Sequence, residues 1–369
     1  MFNPTRFIRS HIQDMPAYEP ILPFEVLSQQ LDRPPEQIVK LDANENPYGL
    51  LPAVRAALAE MPFPHIYPDP GSQELRRALA ETHNLPLENI LAGAGADELL
   101  DLILRLTINP GDAIINCPPT FGMYEFDGDL NCARVINVPR RDNFSLDLPA
   151  IERAAREYQP KLIFLASPNN PDGSIIPRAA LLRLLELPLI LVLDEAYIEF
   201  SETQSLITEV PNYPNLIVLR TFSKWAGLAG LRIGFGVFPA GLMPHLWKIK
   251  QPYNVSAAAS TAAIVSLQHR AELDEIGQRL IAERERLFGL LQTIPYLHPY
   301  PSQSNFILCR VIGQDASALK RDLAQAGILV RYFNKPGLRD CIRISVGKPE
   351  HTDALMQELS KVESQMSDS

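Results

Sequence analysis

No run in the 369-residue chain comes near the 18 or more consecutive apolar residues that a membrane-spanning helix requires. Basic residues do not predominate either: 34 Lys and Arg stand against 43 Asp and Glu, a formal net charge of −9. Nucleic-acid binding and attachment to anionic lipid both need a basic face, so neither is expected as the main task. An anionic ligand must then be met by arginines gathered locally. Cysteine is scarce, and Cys117, Cys132, Cys309 and Cys341 lie too far apart to make a CxxC or zinc pattern. That suits free, mostly buried thiols in a reducing compartment, with no metal. The first ten residues carry Arg6 and Arg9 but no apolar h-region, so no secretory leader is expected and the cytoplasm is the default location. No internal repeat is present, and the 33 prolines fall mostly between apolar runs, where they end elements.

The length predicts two structural domains. One stretch, Thr221-Phe222-Ser223-Lys224 through Arg232 to Gly236, concentrates polar groups among small residues just where the apolar strand Leu216–Leu219 runs out. In open α/β sheets ligands bind beyond the carboxyl ends of strands. A lysine partly removed from water there gives up its proton more readily and can form a Schiff base. Thr221, Ser223 and Arg232 can grip an oxyanion. An aldehyde partner beside a phosphate partner is what pyridoxal 5′-phosphate (PLP) demands. Taken alone, the stretch also reads as a surface loop whose glycines let helix and strand pack closely.

Two further strand ends recur at similar spacing. Lys161–Leu165 leads into Ser167-Pro168-Asn169-Asn170-Pro171-Asp172-Gly173, and Leu189–Leu193 leads into Asp194-Glu195-Ala196-Tyr197. Apolar runs separated by amphipathic helices predict parallel strands covered on both faces, with their polar ends along one edge. Asp194 would be a costly lone charge unless paired; facing a pyridine nitrogen it would keep that nitrogen protonated. Asn170 and Tyr197 can hydrogen-bond the ring's 3′-oxygen. Earlier, Gly93-Ala94-Gly95-Ala96-Asp97-Glu98 opens a helix and offers backbone amides to a phosphate. The third glycine of a dinucleotide fingerprint would fall at Glu98, whose charge opposes a pyrophosphate.

The Lys224 segment resembles, almost residue for residue, the cofactor-lysine segment of the fold type I aminotransferases, and within them it is most similar to the histidinol-phosphate aminotransferases. Leu41-Asp42-Ala43-Asn44-Glu45-Asn46-Pro47 is similar to the family signature L-D-x-N-E-N-P, and Gly95-Ala96-Asp97-Glu98 to its G-[AS]-D-E segment. The resemblance implies an α/β fold of the type I PLP-dependent transferases: a large domain with a mostly parallel sheet covered by helices on both faces, plus a smaller α/β domain. It implies that Lys224 holds PLP, with Asp194 and Tyr197 as its catalytic companions. Ala96 and Asp97 lend amides, and Thr221, Ser223 and Arg232 hold the cofactor phosphate. Phe121, usually tyrosine in the family, stacks on the ring and lacks the hydroxyl. Tyr67 crosses the interface of a homodimer to the neighbouring subunit's cofactor. Substrate contacts fall to Tyr18, Asn170, Arg331 and Arg343, the two arginines meeting a substrate phosphate. Asp172 replaces the threonine of N-N-P-T-G and is expected to face away from the cofactor. The implied reaction transfers the amino group of L-histidinol phosphate to 2-oxoglutarate. A threonine-phosphate decarboxylase, an aromatic amino-acid aminotransferase and a PLP-binding sensor remain alternatives.

Arg331 and Arg343 equally read as edge-strand ion-pair partners, and Tyr67 as a turn residue packed on a helix. The expected organisation is an N-terminal arm with part of the small domain (1–31), a large cofactor-binding domain (32–256), and a bridging helix with the small C-terminal domain (257–369). The pattern predicts helices over 52–60, 72–82 (Ser72 as N-cap) and 178–187. One long helix is expected over 257–291, charged through Arg270, Glu272, Asp274, Arg279, Glu283 and Arg286. Beyond it the pattern gives strands 305–311, 328–332 and 341–346, and helices 316–325 and 352–362.

Overall fold

In the computed structural model, which describes residues 2–17 and 22–367, the first strand is β1 (Val39–Leu41). The chain then runs through β2 (Ile90–Gly93), β3 (Ala113–Asn116), β4 (Arg134–Asn137), β5 (Leu162–Ala166), β6 (Ile190–Asp194), β7 (Leu216–Thr221) and β8 (Gly234–Val237). These last seven form one sheet in the order β2-β8-β7-β6-β5-β3-β4. Neighbours from β4 to β7 are parallel, while β8 runs antiparallel to both β7 and β2.

Every residue of β5 and β7 is buried, which explains their unbroken apolar reading: helices cover both faces. Successive side chains go to opposite faces. Ile163, Leu165, Leu191, Leu193, Leu216 and Val218 enter one core, and Leu162, Phe164, Val192, Ile217 and Leu219 enter the other. The second core also holds Leu99, Leu100, Leu102, Ile103 and Leu104 from the helix Ala96–Thr107. This alternation decides the fate of the polar residues at the strand ends. Asp194 follows the parity of Val192 and meets Tyr124, a member of the second core, whereas Glu195 turns to the other face and pairs with Arg220 at 3.6 Å.

A second sheet, in the order β1-β11-β12-β10-β9, is built from β9 (Leu297–Pro299), β10 (Phe306–Val311), β11 (Ile328–Tyr332) and β12 (Cys341–Ser345). Its antiparallel strands pack a separate core against the helices Arg270–Leu291, Ala316–Gln325 and Pro349–Ser367. Residues 39–41, grouped with the large domain from sequence, pair in parallel with Ile328–Val330 and bury Leu41 in the small core.

Several local expectations change. The helix expected over 257–291 is two, Ala257–Gln268 and Arg270–Leu291, broken at His269 (φ −104°, ψ 31°). Glu283 is not on an exposed charged face but buried beside Arg286 at 2.9 Å. Ser72 occupies the N-cap position of Gln73–His83 in the left-handed region and makes no side-chain cap. Asp69 caps instead, accepting from the Gln73 and Gly71 amides at 2.6 and 2.9 Å, and those bonds hold its pKa below the usual carboxylate value. The final helix starts at Pro349, ahead of the expected Thr352. Among the described residues no helix is long and apolar enough to cross a membrane, and no group of His, Cys, Asp or Glu could hold a metal ion.

Candidate active site

Parallel pairing puts the carboxyl ends of β5, β6 and β7 side by side, with Ala166 opposite Asp194 in register. The loops that follow border a cleft, partly open to solvent, of about 640 Å³. Ala96, Asp97, Phe121, Asn170, Asp194, Tyr197, Thr221, Ser223, Lys224 and Arg232 all line it. The structure thus gathers every expected cofactor residue except Tyr67. That tyrosine is 79% exposed, stacked on Tyr253 at 4.8 Å, and lines no part of its own chain's cavity. Tyr18 lies outside the described residues.

Lys224 leaves the end of β7 and donates from Nζ to the Ala43 carbonyl at 3.2 Å. Burial, then the positive charge of Arg343, brings its pKa down to about 8, so an appreciable fraction of the amine is neutral near neutrality. Asp194, also lining the cavity, accepts from the Ala196 amide at 3.0 Å and from the Tyr124 hydroxyl at 2.7 Å. Burial pushes its pKa up to about 6; the two hydrogen bonds and Lys224 act in the opposite direction. Tyr124 is itself fully buried, stacked on Phe164 at 5.3 Å and edge-on to Phe121 at 5.6 Å.

In the same lining, Thr221 Oγ1 donates to Ser223 Oγ at 2.9 Å and Arg232 pairs with Asp97 at 2.8 Å. The helix Ala96–Thr107 begins here, and its first-turn amides have no carbonyl within the helix to bond. Gly95 (φ +82°) keeps this corner open, since a Cβ there would lie 2.7 Å from Arg232 Nη2. Two hydroxyls, a guanidinium and helix-start residues share the lining of this cavity with an amine and a carboxylate. Such a donor set fits a molecule with a phosphate, an aldehyde and a basic ring nitrogen, as in PLP. Asp97 already occupies Arg232, so a bound phosphate would compete for that guanidinium.

A second cavity, about 870 Å³, adjoins the first and shares Phe121, Asn170, Tyr197 and Lys224 with it. Arg331 and Arg343, twelve positions apart in sequence, are register partners on β11 and β12 and both line this space. Arg343 donates to Asn170 Oδ1 at 2.6 Å and to the Asp42 carbonyl at 2.8 Å. Arg331 forms no ion pair with a carboxylate among the described residues, so an edge-strand salt bridge is not what places it.

Sequence reading missed three contributors. Tyr124, not singled out from sequence, holds Asp194; its position three residues after Phe121 was the available signal. Asn44, seen only within a signature, donates to Tyr197 Oη at 3.0 Å and is tied to Ser345 and Asn305 of the small-domain side at 2.9 and 3.0 Å. Asp172 does keep clear of both cavities, but it is 1% exposed and bonded to Asn169. Asn169 in turn binds Thr120 Oγ1 at 2.7 Å and the Pro119 carbonyl at 3.0 Å, so the loops carrying Asn170 and Phe121 are joined.

With this geometry in place, comparisons with known proteins bear on it. The sequence profile of the family described as aminotransferase class I and II matches residues 36–361. The chain is 57% identical over 352 residues to histidinol-phosphate aminotransferase 1, chloroplastic, of Arabidopsis thaliana, covering 95% of this chain and 84% of that protein. It is 51% identical over 366 residues to histidinol-phosphate aminotransferase of Roseiflexus castenholzii, covering 97% and 98%. The crystal structure of histidinol-phosphate aminotransferase from Sinorhizobium meliloti in complex with pyridoxal-5′-phosphate matches with a TM-score of 0.89 at 30% identity, covering 98% of each chain. The chain therefore belongs to the class I and II aminotransferases of the type I fold, within their histidinol-phosphate aminotransferase group.

Proposed function

We propose that this protein uses PLP to transfer the amino group of L-histidinol phosphate to 2-oxoglutarate, giving imidazole-acetol phosphate and L-glutamate, a step of histidine biosynthesis. The observation that carries the reading is Lys224, a partly buried amine of lowered pKa at a strand end, lining one cavity with an oxyanion cradle and the carboxylate of Asp194. When bound, PLP supplies an aldehyde that takes up the amino group and a ring that accepts the electron pair left as the substrate's carbon loses its proton.

The chain's own residues do the rest. Lys224 anchors the cofactor and, once displaced by the substrate amine, its Nζ is the base that removes and returns the substrate proton. Asp194, ionised above about pH 6, holds a proton on the ring nitrogen; Tyr124 keeps the carboxylate aimed. Tyr197 and Asn170 bond the ring's 3′-oxygen. Phe121 stacks on the ring, Ala96, Asp97, Thr221, Ser223 and Arg232 hold its phosphate, and Arg331 and Arg343 receive the substrate phosphate. Two guanidiniums suit a dianion. Tyr18 contributes to the substrate site.

The same reading makes the enzyme a homodimer in which Tyr67 completes the neighbour's site. Its support is the exposure of Phe63, Ile66 and Tyr67 in one segment, at 67, 56 and 79%. Cytoplasmic location is part of the reading, supported by four free cysteines; the plant relatives are named chloroplastic.

One absorbance experiment tests the reaction. L-histidinol phosphate added to the yellow holoenzyme should bleach its colour, and 2-oxoglutarate should restore it. Release of carbon dioxide from threonine phosphate without 2-oxoglutarate, or turnover of phenylalanine in place of the phosphorylated amine, would replace this proposal with one of its rivals.

A further inference from the structure

The larger cavity is lined by four cationic side chains, Lys224, Arg331, Lys335 and Arg343, and by no carboxylate among the described residues. Lys335 stands apart from the other three because it comes from the connection between β11 and β12 and is exposed at the cavity's edge. Its backbone is nevertheless fixed. Lys335-Pro336-Gly337-Leu338 is a turn with proline second and glycine third, closed by the Leu338 amide donating to the Lys335 carbonyl at 3.1 Å. Gly337 has φ +77°, the left-handed value that a type II turn requires at that position. Leu338, 3% exposed, pins the turn to the protein.

From that turn the lysine reaches across the cleft toward the opposite wall. A Cβ on Gly122, in the loop that carries Phe121, would lie 3.3 Å from Lys335 Nζ. No acid pairs with Lys335 or Arg331 among the described residues, and Arg343 is oriented by Asn170 and the Asp42 carbonyl. Lys335 and Arg331, each without an acid partner, add positive charge beside Arg343 and Lys224, a field that an anionic ligand relieves. An alkyl phosphate, with its second ionisation near pH 6, brings nearly two negative charges and three acceptor oxygens. Lysine serves such a group as a mobile point charge where arginine serves as a fixed fork.

We infer that Lys335 is a specificity-determining residue: its amine binds the substrate's monoalkyl phosphate as a third cation beside Arg331 and Arg343, in the space that Gly122 leaves open. The inference rests on the proposed reaction, and its test separates the two. In Lys335→Met, which keeps the apolar stem, the KM for L-histidinol phosphate should rise about tenfold with kcat within about twofold. The single-turnover rate with L-histidinol, the same amine without phosphate, should not change, and Lys335→Arg should recover most of the loss. Calorimetry of the holoenzyme with propyl phosphate, a dianion that lacks an amine, should show a Kd about tenfold weaker in Lys335→Met. Gly122→Ala should weaken propyl phosphate in the parent protein and much less in Lys335→Met, because the two changes act through one contact. An unchanged propyl phosphate Kd, or equal losses with the phosphorylated and unphosphorylated amines, would overturn the inference. A parent enzyme that ignores L-histidinol phosphate would instead sink the proposed reaction, and the propyl phosphate measurement would still decide the role of Lys335.

Discussion

Replacing Tyr124 by phenylalanine removes one hydroxyl and little else, because the ring's contacts with Phe164 and Phe121 stay in place. The lost bond is a 2.7 Å O–H···O contact to a carboxylate that is 7% exposed. Hydrogen bonds to charged groups contribute about 1.5–3 kcal/mol and neutral ones about 0.5–1.5; the difference of about 1–1.5 kcal/mol, at about 1.4 kcal/mol per pKa unit, should raise the carboxyl by roughly one unit. Starting from about 6, Asp194 would then titrate at about 7. A group whose folded-state pKa lies above its unfolded value contributes most below the unfolded pKa, and that contribution is lost as pH rises through the folded pKa. In the apo-protein, Tyr124→Phe should therefore be most destabilising at pH 8, where the parent carboxylate is ionised and bonded. At pH 5, with the carboxyl neutral in both proteins, the loss should shrink toward that of a neutral hydrogen bond, about 0.5–1.5 kcal/mol. Thermal unfolding would register the pH 8 effect as a drop of roughly 3–12 °C, at about 2–4 °C per kcal/mol for domains of this size. In the holoenzyme the acid limb of kcat/KM should move to higher pH by a comparable amount. Equal destabilisation at pH 5 and pH 8, together with an acid limb within a few tenths of a unit of the parent, would refute the assignment of Tyr124 as the group that holds Asp194.

Two other perturbations read different parts of the site. The rate at which apo-protein joins PLP covalently should rise through about pH 8, where Lys224 loses its proton, and Arg343→Met should move that midpoint upward by removing a neighbouring positive charge. A midpoint near that of a solvated lysine, with no response to Arg343→Met, would count against the partly buried amine. If Tyr67 completes the neighbouring site, Lys224→Ala and Tyr67→Ala subunits should complement each other on mixing. Random pairing gives half hybrids with one intact site of two, about a quarter of parental activity. No recovery after exchange of subunits would leave Tyr67 as a packing residue.

The sequence alone determined a good deal. Three apolar runs ending in Asn170, Asp194 and Lys224 state a parallel sheet, the edge at which its polar groups meet, and an amine placed where a phosphate cradle is close by. These signals are local: strand hydrophobicity, turn chemistry and short motifs survive in a one-dimensional reading. What the tertiary structure decided is who faces whom. Alternation along β6 sends Asp194 toward Tyr124 and its neighbour Glu195 toward Arg220, yet no periodicity says which face holds the ligand. Antiparallel register alone makes partners of Arg331 and Arg343, and the parallel pairing of residues 39–41 with β11 joins the start of the chain to the small sheet. Asn44 and Lys335 gain meaning only from closure between segments 153 and 213 residues apart, with Asn44 meeting Tyr197 and Lys335 meeting Gly122. Such contacts depend on how two cores dock, a property of the packed chain that neighbouring residues do not encode.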